Sequence, residues 1–424
     1  MEAPADSRDV GPRRGEFWGL ADQGLVSGVN FLTIVVVARA LAPADFGQFV
    51  LAFTVLQSCG MLQAALVSRP HNVLGAVRHG RDYADYSTTA ATTQVALAAC
   101  LAVLAALAGG LAHLAGLEQA TLIAALAPAV GAWQLQELGR RMLYTEGRLS
   151  AAFVNDVLCY GGQGLALVVL WRSDALTGAR ALLTLAAAFA LGAALVAWQL
   201  RRTLSGTPSR AALRASWHFG KWLGAAELGQ WVSTHFTIYL AAAVVGPVAS
   251  AALKAGQTLL GPMSVFLTFV TSYLPTQLAR ELQASDTIER SSRLALAKVL
   301  PVVVPYCLVV GLLAKPALEL VYGAEYGKYA AVVQLYALYY VALAFSTVAV
   351  AALTARGLTR EVFVGHAASA ALSLAVGWLL LREFGPAGGV VGMLLSWSLA
   401  MAFFVRPLGS KTTPPLSISR SADS

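Results

Sequence analysis

The residues of this 424-residue chain that could do chemistry are few, and most stand inside apolar stretches. Asp22, Gln23 and Asn30 interrupt the run Phe17–Ala40, which ends on Arg39. Gln134, Glu137, Arg140 and Arg141 close a run over 119–141, and Asn155, Asp156, Tyr160 and Gln163 fall within 150–171. Glu227, Gln230, Thr234 and His235 lie within 217–245, followed by Lys254 and Gln257. No G-x-x-x-x-G-K-[ST] phosphate loop, H-E-x-x-H or G-x-S-x-G is present, so the familiar nucleotide, zinc and serine-hydrolase chemistries lack their parts. The expectation is a protein that is not an enzyme and needs no cofactor or metal. What acids, amides and arginines inside apolar segments can do is bind and conduct. Ionisable groups at membrane depth are costly and mark substrate or ion pathways.

Their spacing sorts them into faces. At about 100° per residue, Gln23, Ser27 and Asn30 form one stripe of the first helix, and Asp22 and Thr33 a neighbouring one. Asp22 is then either an interfacial group or part of a cavity wall. Gln134, Glu137 and Arg141 share a face with Arg140 beside them. Glu137 precedes Arg141 by four residues, the favourable order for a helical ion pair. That segment reads either as a helix end rich in positive charge or as a phosphate site. Asp156, Tyr160 and Gln163 share a stripe, and so do Glu227, Gln230 and Thr234. His235 reads as a hydrogen-bonded core residue or as a relay. Asp82 and Asp85, in D-Y-A-D beside Arg78 and Arg81, read as a solvated charged loop. Six tyrosines between Tyr322 and Tyr340 read as an interfacial aromatic belt, with sugar stacking as the other reading.

The elements that must position these groups are membrane helices. Hydrophobic residues make up 57% of the chain and charged residues 12%, against about 25% charged in soluble domains. Twelve apolar runs follow one another, at 17–40, 46–68, 86–112, 119–141, 150–171, 181–200, 217–245, 249–274, 294–314, 328–354, 361–381 and 387–406. The fold expected is all-α and polytopic, with two six-helix lobes at 17–205 and 206–408 and tails at 1–16 and 409–424. If the N-terminus is cytoplasmic, 23 of the 30 lysines and arginines fall on that side, which settles the orientation by the positive-inside rule. The net charge of +8 is thus a topology signal, and no basic–aromatic patch suggests nucleic acid. The small-Pro turns at Leu41–Ala44 and Val245–Val248 stand six helices apart, as parallel repeats would place them. The four cysteines lie in apolar runs and read as buried hydrophobes.

Three stretches carry a family likeness. Ala38–Phe49 (ARALAPADFGQF) resembles the signature after the first helix of Wzx-type polysaccharide flippases, a branch of the MOP superfamily that also holds MurJ and the MATE exporters. His218–Trp231 (HFGKWLGAAELGQW) is similar to the start of that family's second half, and Leu320–Ala330 (LVYGAEYGKYA) to its loop before helix 10. The resemblance implies a flippase of the bacterial inner membrane that moves a polyprenyl-pyrophosphate-linked oligosaccharide outward by alternating access. Its partners would be that lipid-linked oligosaccharide, membrane lipid, and the polymerase and glycosyltransferases of one pathway. The groups expected to meet substrate are Asp22, Gln23, Asn30, Arg39, Glu137, Arg140, Arg141, Asp156, Glu227, Gln230, His235 and Lys254. A MATE-like antiporter of small molecules on the same fold is the rival. A membrane glycan polymerase or transferase is further away, because every outer connection is short.

Overall fold

A computed structural model describes residues 12–284, 288–356 and 358–408. Among them the chain is helical and holds no strand: α1 (Pro12–Ala40), α2 (Pro43–Gln63), α3 (Gly80–Leu114), α4 (Ala120–Thr145), α5 (Leu149–Asp156), α6 (Gly162–Arg172), α7 (Gly178–Gln199), α8 (Arg210–Val244), α9 (Pro247–Leu259), α10 (Gly261–Ala284), α11 (Ile288–Leu312), α12 (Ala314–Tyr322), α13 (Ala330–Ala355) and α14 (Thr359–Leu408). Every predicted apolar run is helical. Among the described residues, eight segments are long and apolar enough to cross a membrane. Breaks fall where the backbone chemistry asks for them. Pro43 and Pro247 each open a helix at its first turn, where the missing N–H has no partner to lose. Wider π-turns at Ala64–Ser68 and His71–Gly75 end and follow the second run, and another at Val157–Gly161 interrupts the fifth. Such turns recur at functional sites, and the last of them begins immediately after Asp156.

The chain divides into two compact units, Met1–Leu228 and Gly229–Ser424, and α8 runs across the division. In the first unit α4 is the central element, packed on α3 and α7. A Cβ on Gly109 of α3 would meet the Ala124 backbone of α4 at 2.7 Å, so a small residue lets the two backbones close up. In the second unit α13 packs on α10, α11 and α14, around a core of Leu267, Val303, Tyr336, Ala344, Leu381 and Phe404. There α14 is a hairpin rather than one rod. Gly385 adopts φ 59°, ψ −146°, a region open to glycine alone. The chain then turns back so that Gly392 lies against Gly377. The eleventh and twelfth runs are the two arms of this hairpin.

Two expectations need correction. The tyrosines between 322 and 340 do not form an interfacial belt: Tyr322, Tyr326, Tyr336, Tyr339 and Tyr340 are all buried in the second unit. Aromatic composition alone cannot say which way a ring faces, and here the rings fill the core. Nor are Asp82 and Asp85 in a loop. Both sit in the first turns of α3, paired with Arg78 at 2.9 Å and Arg81 at 3.2 Å. Asp85 also accepts hydrogen bonds from the Thr207 backbone and hydroxyl, at 2.7 and 3.3 Å. Together with Thr88 and Thr89, which bind the backbone of Gly206 and Ser209, it straps the linker before α8 onto α3.

Candidate functional site

The first unit buries a charged cluster at the meeting of α1, α4 and α5. Its centre is Arg140, whose side chain is 7% exposed. Three carboxylates surround it. Glu137 receives Nε at 3.0 Å and Nη2 at 2.9 Å, while Asp156 and Asp22 both reach Nη1, at 3.1 and 3.5 Å. Both aspartate side chains are fully buried. The arrangement follows from three helical registers. Gln136, Arg140 and Tyr144 are spaced by four on α4, so they stack along one inward stripe. Tyr144 donates its hydroxyl proton to Asp22. Gln136 donates to Asp156 at 2.9 Å and to Asn155 at 3.3 Å. Asn155 in turn donates to the Gly192 carbonyl of α7 at 2.8 Å. Each carboxylate thus has hydrogen-bonded partners, which a buried charge requires to persist in a low-dielectric interior.

Arg141 occupies a different position. Its Nε donates to Glu137 at 2.7 Å, yet its side chain is 41% exposed. Glu137 therefore joins a sealed arginine to an open one. The pair Glu137–Arg141, expected from the spacing, is present, but the inward member of α4 is Arg140, which the stripe assignment had set to one side. A further polar seam continues from this cluster. Gln163 of α6 donates to Thr33 of α1 at 2.8 Å, and Thr33 lies three turns beyond Asp22 on the same face. On α2, α3 and α4 three buried glutamines meet, with Gln94 donating to Gln134 at 2.6 Å and Gln63 to the Gln134 backbone at 2.9 Å.

The structure thus brings together Asp22, Glu137, Arg140, Arg141 and Asp156 from the expected set. It leaves Gln23 exposed and bonded to Ser27, at 3.3 Å, Asn30 half-buried, and Arg39 exposed in the last turn of α1. The Gln23 stripe and the Asp22 stripe of α1 are therefore divided, with only the second packed into the unit. His235 and Lys254 are half-buried members of the second unit. The side chains of Glu227 and Gln230 lie outside the described residues. Sequence reasoning missed Tyr144 and Gln136, although their four-residue spacing from Arg140 was a usable signal. It also missed the buried pair His71–Ser87, 3.0 Å apart, for which a lone histidine after a proline gives no signal.

Chemically, the cluster sets three carboxylates against two guanidiniums, one acid in excess. Arg140 has its donors committed to carboxylates and is not free to clasp an anion. Arg141 has an open face, and its planar fork can donate two parallel hydrogen bonds to phosphate oxygens.

The family described as polysaccharide biosynthesis protein matches residues 36–331, more than half of the chain. Among curated proteins none matches by sequence. Solved structures share the architecture at low identity. An inward-facing multidrug resistance MATE transporter of the MOP superfamily aligns with TM-score 0.73 and 15% identity, over 91% of this chain and 93% of that one. The lipid II flippase MurJ, in an inward closed conformation, aligns at 0.69 and 11%, over 93% and 88%. A MOP superfamily transporter from Pyrococcus furiosus aligns at 0.63 and 13%, over 95% and 96%. At such identities the likeness establishes the fold alone, a multi-pass helical membrane architecture shared with those transporters.

Proposed function

This chain belongs to the polysaccharide biosynthesis protein family, and on that premise we propose that it flips a polyprenyl-pyrophosphate-linked oligosaccharide from the cytoplasmic to the outer leaflet of the bacterial inner membrane. It does so by alternating access, without chemical change to the cargo. The observation that carries the reading is the half-open guanidinium of Arg141, rooted through Glu137 in the buried Arg140 cluster. A pyrophosphate leaving water meets a heavy desolvation penalty unless charge and hydrogen bonds replace what it loses. Arg141 supplies both, and the carboxylates around Arg140 hold α1, α4 and α5 in the register that presents it. In this reading Arg39 and Lys254 serve the exit side, and the cargo is handed on to a polymerase fed by the glycosyltransferases of the same pathway.

A second reading, MATE-like cation-coupled antiport of small molecules, is favoured by the excess acid in the same cluster, which would attract a cation. One titration separates the two. Purified full-length protein is given a polyprenyl pyrophosphate and, in parallel, the uncharged prenol. The flippase reading expects the charged lipid to bind more tightly, by at least tenfold. Arg141→Gln should remove most of that preference, and Arg141→Lys should restore part of it, because it returns the charge without the fork. Equal affinity of the parent for both lipids would overturn phosphate recognition and leave the antiport reading standing.

A further inference from the structure

The second unit holds a cleft that neither the Arg140 cluster nor the family assignment accounts for. It opens between the first turns of the α14 hairpin and its last turns, and it is lined by Arg360, Glu361, Val364, Phe403 and Arg406. The spacing explains the lining. Arg360, Glu361 and Val364 occupy one side of the outgoing arm, at intervals of three and four residues, and Phe403 and Arg406 stand three apart on the returning arm. The arms are held together just above the cleft by Gly365, whose missing side chain leaves room for the Phe404 ring. The positive-inside pattern puts this end of the hairpin at the cytoplasmic surface. Arg360 and Arg406 are exposed there, and neither they nor Glu361 form an ion pair with another described residue.

Two unpaired guanidiniums and one unpaired carboxylate sharing a cleft with an aromatic and an aliphatic side chain describe a ligand in negative. It carries a phosphate for the arginines, a short-tethered cation for Glu361, and hydrocarbon for Val364 and Phe403. The volume, about 280 Å³, lies just below the roughly 300–1,000 Å³ usual for sites that enclose drug-sized ligands. That suits a headgroup. We infer that the cleft binds the headgroup of a phosphoethanolamine-type phospholipid from the cytoplasmic leaflet. Its phosphate rests between Arg360 and Arg406, its ammonium on Glu361, and its glycerol and upper acyl carbons against Phe403 and Val364. The carboxylate gives the cleft its selectivity. A purely anionic headgroup satisfies the arginines but must sit beside Glu361, while the amine of a zwitterionic one neutralises it. The site is independent of whatever cargo the chain carries.

The test is a titration of the purified full-length protein with dihexanoyl phosphatidylethanolamine, dihexanoyl phosphatidylglycerol and inorganic phosphate, read by native mass spectrometry. The parent should bind the ethanolamine lipid more tightly than the glycerol lipid, and phosphate more weakly than either. Arg406→Gln should weaken both lipids about fivefold, the size of effect that one basic residue contributes near an anionic membrane surface. Glu361→Gln should bring the two lipids level without weakening the glycerol lipid. Arg360→Gln provides a second arginine variant should Arg406→Gln fail to fold. Unchanged lipid affinity in the arginine variants overturns the site. A preference that survives Glu361→Gln overturns the role of the carboxylate, and phosphate binding as tight as the ethanolamine lipid makes this an inorganic anion site instead.

Discussion

The two units of the chain solve the problem of polar groups in an apolar interior in opposite ways. In the first, buried polar side chains answer one another. Asp22, Arg140, Asp156, Gln136, Asn155 and Tyr144 form one connected network across α1, α4, α5 and α7. In the second, the core is aliphatic and aromatic. Tyr339 meets Tyr336, Tyr340 and Trp397 edge to face, and His366 sits edge-on to Trp397 and Phe404. Its buried hydroxyls bond to backbone carbonyls, as those of Ser250, Thr347 and Ser396 do, or, like those of Tyr336 and Ser346, have no hydrogen-bond partner among the described residues. A connected charge network can exchange partners when an ion or an anion arrives, because each member has an alternative acceptor or donor close by. An aromatic core has no such alternative and keeps one packing. Rearrangement on ion or anion arrival is therefore expected in the first unit and a fixed packing in the second.

The largest effect is expected from removing Arg140. Arg140→Met would leave Asp22 and Asp156 buried without their shared cation, and removing one partner of a buried ion pair costs about 3–5 kcal/mol. Unfolding of the purified protein in mixed micelles should show a loss of that size. Combining Arg140→Met with Asp22→Asn and Asp156→Asn should recover much of it, since the uncompensated charge is then gone. If Arg140→Met alone leaves stability unchanged, the network is not electrostatically coupled, and the contrast between the units fails.

The sequence made much of the fold legible and less of the site. Helical runs, their breaks at Pro43 and Pro247, and the reversal near Gly385 are local properties, written in apolar length and in residues with special backbones. The Glu137–Arg141 pair is local too. The role of Arg140 is not, because Asp22 lies 118 positions away, and only packing decides which of two adjacent arginines turns inward. The same holds for the α1 stripes. Periodicity separated Asp22 and Thr33 from Gln23, Ser27 and Asn30, but it could not say that the first stripe is the buried one. The tyrosines mark the opposite failure, in which composition suggested a membrane interface and packing made a core.

An intermediate effect is expected from the hairpin in the second unit. Any side chain on Gly388 would run into the Leu380 carbonyl of the facing arm, and backbone, unlike the tip of a side chain, cannot rotate aside. Gly388→Ala should therefore cost about 1–3 kcal/mol, the range for overpacking a close-fitted contact. The same unfolding measurement checks it. A rigid unit predicts that this strain stays as lost stability. Were the loss below about 0.5 kcal/mol, the arms could slide apart easily, and the second unit would be as adaptable as the first.

The smallest effect is the most discriminating, because it compares one hydroxyl in each unit. Tyr144 and Tyr336 both place a phenol among helices, but the Tyr144 hydroxyl donates to the carboxylate of Asp22, and the Tyr336 hydroxyl is buried without a partner among the described residues. Deleting a hydrogen bond to a charged group costs about 1.5–3 kcal/mol, whereas deleting a buried hydroxyl that bonds to nothing removes a desolvation penalty and little else. Tyr144→Phe should accordingly destabilise by an amount in that range. Tyr336→Phe should lie within about 0.5 kcal/mol of the parent and can fall on the stabilising side. The ring is retained in both, so packing changes little and the difference reports the hydroxyl environment. A double variant carrying Arg140→Met tests whether Tyr144 acts through the network. With the guanidinium gone, the Asp22 carboxylate depends more heavily on its remaining donor, so Tyr144→Phe should cost more in that background, while Tyr336→Phe should cost the same in both. If the two phenylalanine variants behave alike in both backgrounds, the first unit holds no coupled polar network and the second is no more rigid than the first.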